Sequence, residues 1–224
     1  MFDVGRPKFT AIVSADSLAR LVAFFLILLL NACSPIYSKL PTVADQKLEN
    51  YVTAIGLEIV AVSEDRERSE RYQFKLADFA RGDILGFTAG DRIIFISHEL
   101  SRRAYADDYH RWLLRHTLAH EVAHTVLKGP LAAAHDSEYG TVGLANRITN
   151  RDLGLSGWIK FRPYSRSVEL AADQKAMEYW RKLGWNCGNW VSLFVKFTAQ
   201  GYAGDPDHPT RERLNQAIRI CSEE

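Results

Sequence analysis

His120-Glu121-Val122-Ala123-His124 is the stretch of this chain whose residue types and spacing can do chemistry. On a helix, residues i and i+4 share one face about 6 Å apart. The imidazoles of His120 and His124 can therefore hold one metal ion between them, at about 2.0–2.1 Å each. Glu121 is turned about 100° away around the axis. It cannot join the histidines as an equal ligand, but it can reach a water beside the metal and take its proton. Two imidazole ligands and a neighbouring carboxylate base are the parts of a zinc peptidase. His116, one turn earlier, extends the histidines into a stripe. Its ends, about 12 Å apart along the axis, are too far apart for one ion, and the pair His116/His120 would leave Glu121 on the wrong side. His116 is read as a residue behind the ligands or at the surface. His98, His110 and His135 receive no role.

A catalytic zinc needs a third protein ligand and an open position. Glu169-Leu-Ala-Ala-Asp173 offers two carboxylates on one helical face. One can bind metal while the other orients a ligating histidine through its free N–H. Ala171 and Ala172 suggest close helix packing that would bury that face.

These groups need a scaffold to bring them together. Asp107 or Asp108 can cap a helix that runs through His124 to about Lys128, with Gly129-Pro130 as its stop. Ser165 to Leu183 reads as a second helix closed by Gly184, Gly188 to Gln200 as a third, and Arg211 to Ile220 as a short last one. Upstream, Leu48, Tyr51, Val52 and Ile55 follow helical spacing from Asp45, with a stop near Gly56. The charge run 63–71 reads as a solvated loop. Tyr72–Leu76 and Arg92–Ser97 read as strands, together a small antiparallel sheet placed before the metal-binding helix. Residues 129–164 form a long irregular segment of the length that is often functional. The expected class is α+β, mainly helical.

Composition sets the outer limits. The chain has 224 residues, 47% hydrophobic and 25% charged, which suits one globular domain and excludes collagen, coiled coil and general disorder. A formal charge of +1 gives no field to recruit nucleic acid. Three cysteines are too few for a disulfide scaffold or a cysteine-only metal cluster.

Residues 1–32 do not read as core. Arg6, Lys8 and Arg20 precede the apolar run Leu21–Leu30, which rises only about 15 Å as a helix, half a bilayer. A cationic start and a short apolar stretch form a secretory signal. The run ends Leu30-Asn31-Ala32-Cys33, which resembles a bacterial lipobox, so Cys33 is expected to carry lipid and residues 33–44 to act as a tether. Ser34 after the cysteine resembles the sorting signal for the outer membrane. The alternative is an uncleaved anchor helix with an incidental cysteine. Without residues 1–32 the charges balance, so lipid rather than charge would hold the protein to a membrane, and several acyl chains are needed to do so stably. With Cys33 lipidated in an oxidising envelope, Cys187 and Cys221 are expected to pair; the alternative is two separate buried thiols.

His-Glu-x-x-His followed by Glu169-x-x-x-Asp173 resembles the gluzincin metallopeptidases of family forty-eight (the HtpX, BepA and LoiP group). Leu118-Ala119 before the first histidine, the strand at Gly90–Ile96, Ser165-Arg166 ahead of Val168-Glu169, and Asp207-His208-Pro209 also fit that pattern, so the resemblance covers about Leu85 to Leu214. Two places depart from it. Leu85-Gly86-Phe87 stands where the family has Asn-Ala-Phe. Leu214 stands six positions after His208 where the family has arginine, with Arg213 one short.

The resemblance implies a gluzincin fold over residues 45–224 and one zinc ion per chain, held by His120, His124 and Glu169. Asp173 would then orient a ligand, Glu121 would serve as general base, and His208 would stand near the metal, donating to the developing oxyanion or at times filling the open site. The expected protein is a zinc endopeptidase, lipid-anchored in the bacterial envelope and facing the periplasm, acting on unfolded or damaged envelope proteins. The Arg92–Ile96 strand could add the substrate as a further strand. A non-catalytic lipoprotein serving as chaperone or assembly factor, or a zinc hydrolase of non-peptide amides, are the alternatives.

Overall fold

Asp45 opens the first helix of the described fold by accepting a hydrogen bond from the Leu48 N–H, 3.1 Å. In this computed structural model the described residues are 42–79, 82–88, 92–127, 166–204 and 208–223, all within the unit Lys39–Glu224. The signal segment 1–32, Cys33 and most of the tether lie outside them, as do the irregular segment 129–164, Ser165, Gly90 and Asp207.

Helix α1 (Gln46–Ala61) buries Leu48, Val52, Ile55 and Ile59. It continues past Gly56, where the sequence suggested a stop. A β-carbon at Gly56 would stand 2.3 Å from Cζ of Phe74, so this glycine marks a close helix–sheet approach rather than a helix end. The charged stretch after α1 is not a plain solvated loop either. Arg66–Arg71 forms a short 3-10 helix, and Asp65 before it is buried, accepting hydrogen bonds from Arg68, Tyr72 and Arg92.

Strands β1 (Gln73–Ala77), β2 (Gly86–Thr88) and β3 (Ile93–Ser97) form a sheet in the order β1-β3-β2. The expected antiparallel sheet is mixed: β1 pairs parallel to β3, with Gln73 opposite Ile93, and β2 pairs antiparallel to it, with Phe87 opposite Phe95. The difference comes from β2, three residues too short for a visible alternation. β2 and β3 are antiparallel neighbours, so β1 is left the far side of β3. Because β3 is paired on both edges, it cannot take a substrate strand as expected.

Ser97 ends β3 and at once caps α2 (His98–Ala106), its side chain accepting from the Leu100 N–H. Asp107 then caps α3 (Asp108–Val126) through the His110 N–H, 2.9 Å. Every residue from His116 to Thr125 is buried, which makes α3 a central helix rather than an amphipathic surface one. It packs on α1, α2, the sheet, α4 (Arg166–Lys182) and α5 (Cys187–Ala199). The last helix, α6 (Thr210–Ser222), packs on α4 and α5. Trp180 and Trp190 are fully buried and meet edge to face at 5.0 Å, closing the core where α4 and α5 join α3. The described protein is thus α+β, mostly helical with one small mixed sheet. No described helix is long and apolar enough to cross a membrane.

Candidate metal centre

Helical spacing puts His120 and His124 on one face of α3, and α4 lies against that face with Glu169 and Asp173, themselves one turn apart. All four side chains are buried. Ala172 between the two acids is buried as expected, whereas Ala171 is exposed.

The three expected ligand atoms converge. His120 Nε2 lies 2.9 Å from Glu169 Oε2, His124 Nε2 lies 3.2 Å from the same oxygen, and the two imidazole nitrogens are 3.0 Å apart. Around a tetrahedral ion with bonds of about 2.0–2.1 Å, neighbouring ligand atoms stand about 3.3 Å apart, so a small expansion would turn this arrangement into a coordination shell. The chemistry of the donors agrees. His120 Nδ1 is 2.8 Å from Asp173 Oδ1; donating its proton there leaves the Nε2 lone pair facing Glu169 and His124. Three electron-pair donors aimed at one another are reconciled by a cation. His120, His124 and Glu169 can hold a metal ion.

The charges tell the same story. Burial disfavours ionised Glu169, but the histidines around it, His124 first, hold its carboxyl well below the usual range. Asp173 is likewise buried and likewise held far below its ordinary value, by Arg213 and His120. Two buried carboxylates thus stay charged. Arg213 answers Asp173 with two hydrogen bonds, Nε to Oδ2 and Nη2 to Oδ1. At Glu169 the histidines compete for one positive charge. Burial works against a proton on His120, yet Asp173 and Glu169 raise it to about 9, while burial lowers His124 to about 4. A metal ion at the meeting point supplies that charge without protonating either ring.

Glu121 is buried on the same helix, and burial pushes its carboxyl up to about 7; a cation nearby would draw it down again. It lines a cavity of about 310 Å³ together with His120 and His208. His208 stands just ahead of α6, its Nε2 2.9 Å from Glu169 Oε2, the fourth nitrogen or oxygen at this point. The turn that carries it is closed by the Thr210 N–H donating to the Ala203 carbonyl, 3.1 Å.

His116 is buried, not at the surface. Its ring stacks parallel to His120 at 6.2 Å and packs on Trp190 at 4.4 Å. Cys187 and Cys221 are joined in a disulfide, with Cα atoms 5.9 Å apart, linking the start of α5 to the end of α6. His110 binds its own helix cap, Asp107, at 2.6 Å, and His98 faces Asp45 and Asp78 at 3.8 and 3.6 Å. His135 lies outside the described residues.

Sequence reasoning missed Arg213 and Gly86. The family pattern directed attention to position 214, one residue past the guanidinium that grips Asp173. The need of a buried aspartate for a counter-charge was the available signal. Gly86 was read as a turn glycine and as a departure from the family, yet it lies in β2 against Glu121. No protein-family model and no curated protein matches the chain.

Proposed function

We propose that this protein is a zinc-dependent endopeptidase of gluzincin type, lipid-anchored in the bacterial envelope and acting on unfolded or damaged envelope proteins. The observation that carries the reading is the meeting of His120 Nε2, His124 Nε2 and Glu169 Oε2 within 3.2 Å, with Glu121 beside them on the wall of a cavity. Zinc, when bound, supplies Lewis acidity at a scissile carbonyl and eases deprotonation of water.

This chain's residues do the rest. Asp173, fixed by Arg213, holds His120 in the tautomer that ligates. Glu121 accepts a proton from the attacking water and returns it to the leaving amine, so no covalent intermediate is needed. Burial raises its affinity for the proton and so favours taking it, while a nearby cation lowers that affinity and favours giving it back. His208 is placed to donate to a developing oxyanion. Placement in the envelope, with the outer membrane as destination, rests on Leu30–Cys33 and Ser34.

The purified full chain should carry about one zinc ion. His120→Ala and His124→Ala should lose it. Glu121→Gln should keep zinc and fold but lose peptide hydrolysis, since an amide cannot take up the proton. A wild-type chain that is free of metal yet fully active would end this reading.

A further inference from the structure

Ahead of its buried stretch, helix α3 shows one side to solvent. Trp112 and Arg115, one turn apart there, are both half-buried. Arg115 Cζ stands 4.7 Å from the Trp112 ring centre and 5.0 Å from that of Trp185, and the two indoles meet nearly edge to face at 6.1 Å. Among the described residues no carboxylate pairs with this guanidinium, and its Nε is sealed from solvent without a hydrogen-bond partner. The donors left open are those of Nη1 and Nη2, a flat fork held in place by the indoles. Such a fork fits two oxygens of one phosphate.

Two more pairs of the same kind follow along the chain. Lys196 Nζ lies over the Tyr109 ring at 3.3 Å and Lys47 Nζ over the Tyr105 ring at 4.3 Å. Tyr105 is 49% exposed, and Val195 beside Lys196 is 50% exposed. The acids next to them are engaged, Asp107 with His110 and Asp108 with Arg111. Lys47 comes five residues after Thr42, which pairs with Ala77 where the described fold begins. Cys33 is nine residues before Thr42, a span of about 30 Å at most. A lipid on Cys33 therefore holds this part of the fold close to a bilayer. Tyrosine and tryptophan settle at the headgroup level of a bilayer, and lysine and arginine reach its phosphates.

We propose that Tyr105, Tyr109, Trp112, Arg115 and Trp185 form a membrane-docking surface: the aromatic rings enter the headgroup layer of an anionic bilayer, and the Arg115 fork takes a lipid phosphate. The inference rests on the lipid-anchor reading for its bilayer and uses nothing of the peptidase reading.

The chain purified from membranes is placed in vesicles whose lipids carry bromine high on the acyl chains, made of phosphatidylcholine alone or mixed with phosphatidylglycerol. Bromine quenches an indole only at close range. Wild type should be quenched more on the mixed vesicles, and the excess should fade as salt screens the bilayer. Trp112→Phe/Trp185→Phe, which keeps aromatic packing, should lose that excess. Arg115→Gln should lose most of it, and Arg115→Lys should recover part. Equal quenching on the two kinds of vesicle, or an excess that survives in the double phenylalanine variant, would overturn the surface. Glycerol phosphate added to the solution separates the sources of phosphate. If it abolishes the excess, Arg115 serves a small soluble ester and the docking surface falls; if the excess persists, the bilayer is the ligand. Mass spectrometry of the same preparation reads the lipid on Cys33. A lipidated chain without excess quenching keeps the anchor and ends the docking surface. An unlipidated chain that is still quenched on added phosphatidylglycerol vesicles keeps the docking surface and ends the anchor.

Discussion

Gly86 lies against Glu121 with no room for a side chain: a β-carbon built on it would stand 3.1 Å from both Cγ and Oε1 of the glutamate, and 2.6 Å from Cγ2 of Thr117. Strand β2 can approach Glu121 this closely only because position 86 carries hydrogen. Gly86→Ala must therefore push either the strand or the carboxylate aside. Overpacking of this kind costs about 1–3 kcal/mol, and a displaced base can lower turnover about 100-fold. Zinc content should be unchanged, because His120, His124 and Glu169 are not touched. Adding Thr117→Ser removes the worst contact and keeps the hydroxyl that bonds the Leu113 carbonyl, so the double variant should recover part of the lost kcat. If the proposed peptidase activity is found and Gly86→Ala keeps its wild-type kcat, the close approach is idle.

Arg213 grips Asp173, and Asp173 holds His120. Arg213→Ala should leave a buried carboxylate without its counter-charge, a loss of about 3–5 kcal/mol. His120 would lose its fixed orientation, so zinc affinity should fall about 10–100-fold. Chemical denaturation and competition against a zinc chelator measure the two separately. Arg213→Lys restores charge but not the two-pronged contact, and should fall between. Wild-type zinc affinity in Arg213→Ala would remove the arginine from the support of the centre.

The pairs His120/His124 and Glu169/Asp173 were legible because their geometry is local. Histidines or carboxylates four apart on a helix share a face whatever the rest of the chain does, and Asp107 fixed the helix that carries the first pair. Arg213 was not legible, because its partner is 40 residues away in sequence and the spacing rule suggested by resemblance pointed at Leu214. The mixed sheet was hidden for a different reason. Three residues, Gly86–Thr88, are too few to alternate visibly, and without β2 nothing in the sequence says that β3 is central. The helix stop assigned to Gly56 failed because glycine can serve a neighbour, here the Phe74 ring, as well as a turn. Helix α2, only nine residues long, buries Leu100, Ser101 and Ala104, too faint an apolar stripe to stand out.

Away from the centre, Asp65 gives the fold an acid-sensitive joint. It is buried and accepts hydrogen bonds from Arg92 Nε at 2.8 Å, Arg68 Nη1 at 2.8 Å and the Tyr72 hydroxyl at 3.2 Å. Burial pushes its carboxyl up, but the bonds from Arg92 and Arg68 prevail and hold it below the ordinary value. A carboxyl depressed in the folded state stabilises fully above its unfolded pKa, about 3.9, and that stability is lost as pH falls through the lower folded value. Urea melts should therefore show wild type weakening below about pH 4. Asp65→Asn should be less stable at pH 7 by about 1–3 kcal/mol and show a shallower loss on acidification. An unchanged acid slope in Asp65→Asn would place the sensitivity elsewhere.

The disulfide bears on the metal centre through α6. Cys187 begins α5, whose Phe194 lies under the Arg213 guanidinium at 4.9 Å, and Cys221 lies near the end of α6, which carries Arg213. The bond closes a loop across 34 residues that also contains His208. Chain entropy for a loop of that size corresponds to about 3–4 kcal/mol of stability. Only Thr210, Ala217 and Ile220 of α6 are fully buried, with Leu214 half-buried against the core, so apolar burial alone holds it weakly and the crosslink takes a large share. Cys187→Ser/Cys221→Ser should melt at lower temperature and, because α6 frays together with Arg213, should lose zinc to chelator before the rest of the chain unfolds. Thiol titration of denatured, unreduced wild type should find neither cysteine reactive. A double serine variant that keeps both wild-type melting temperature and zinc retention would mean that α6 is held by its packing alone.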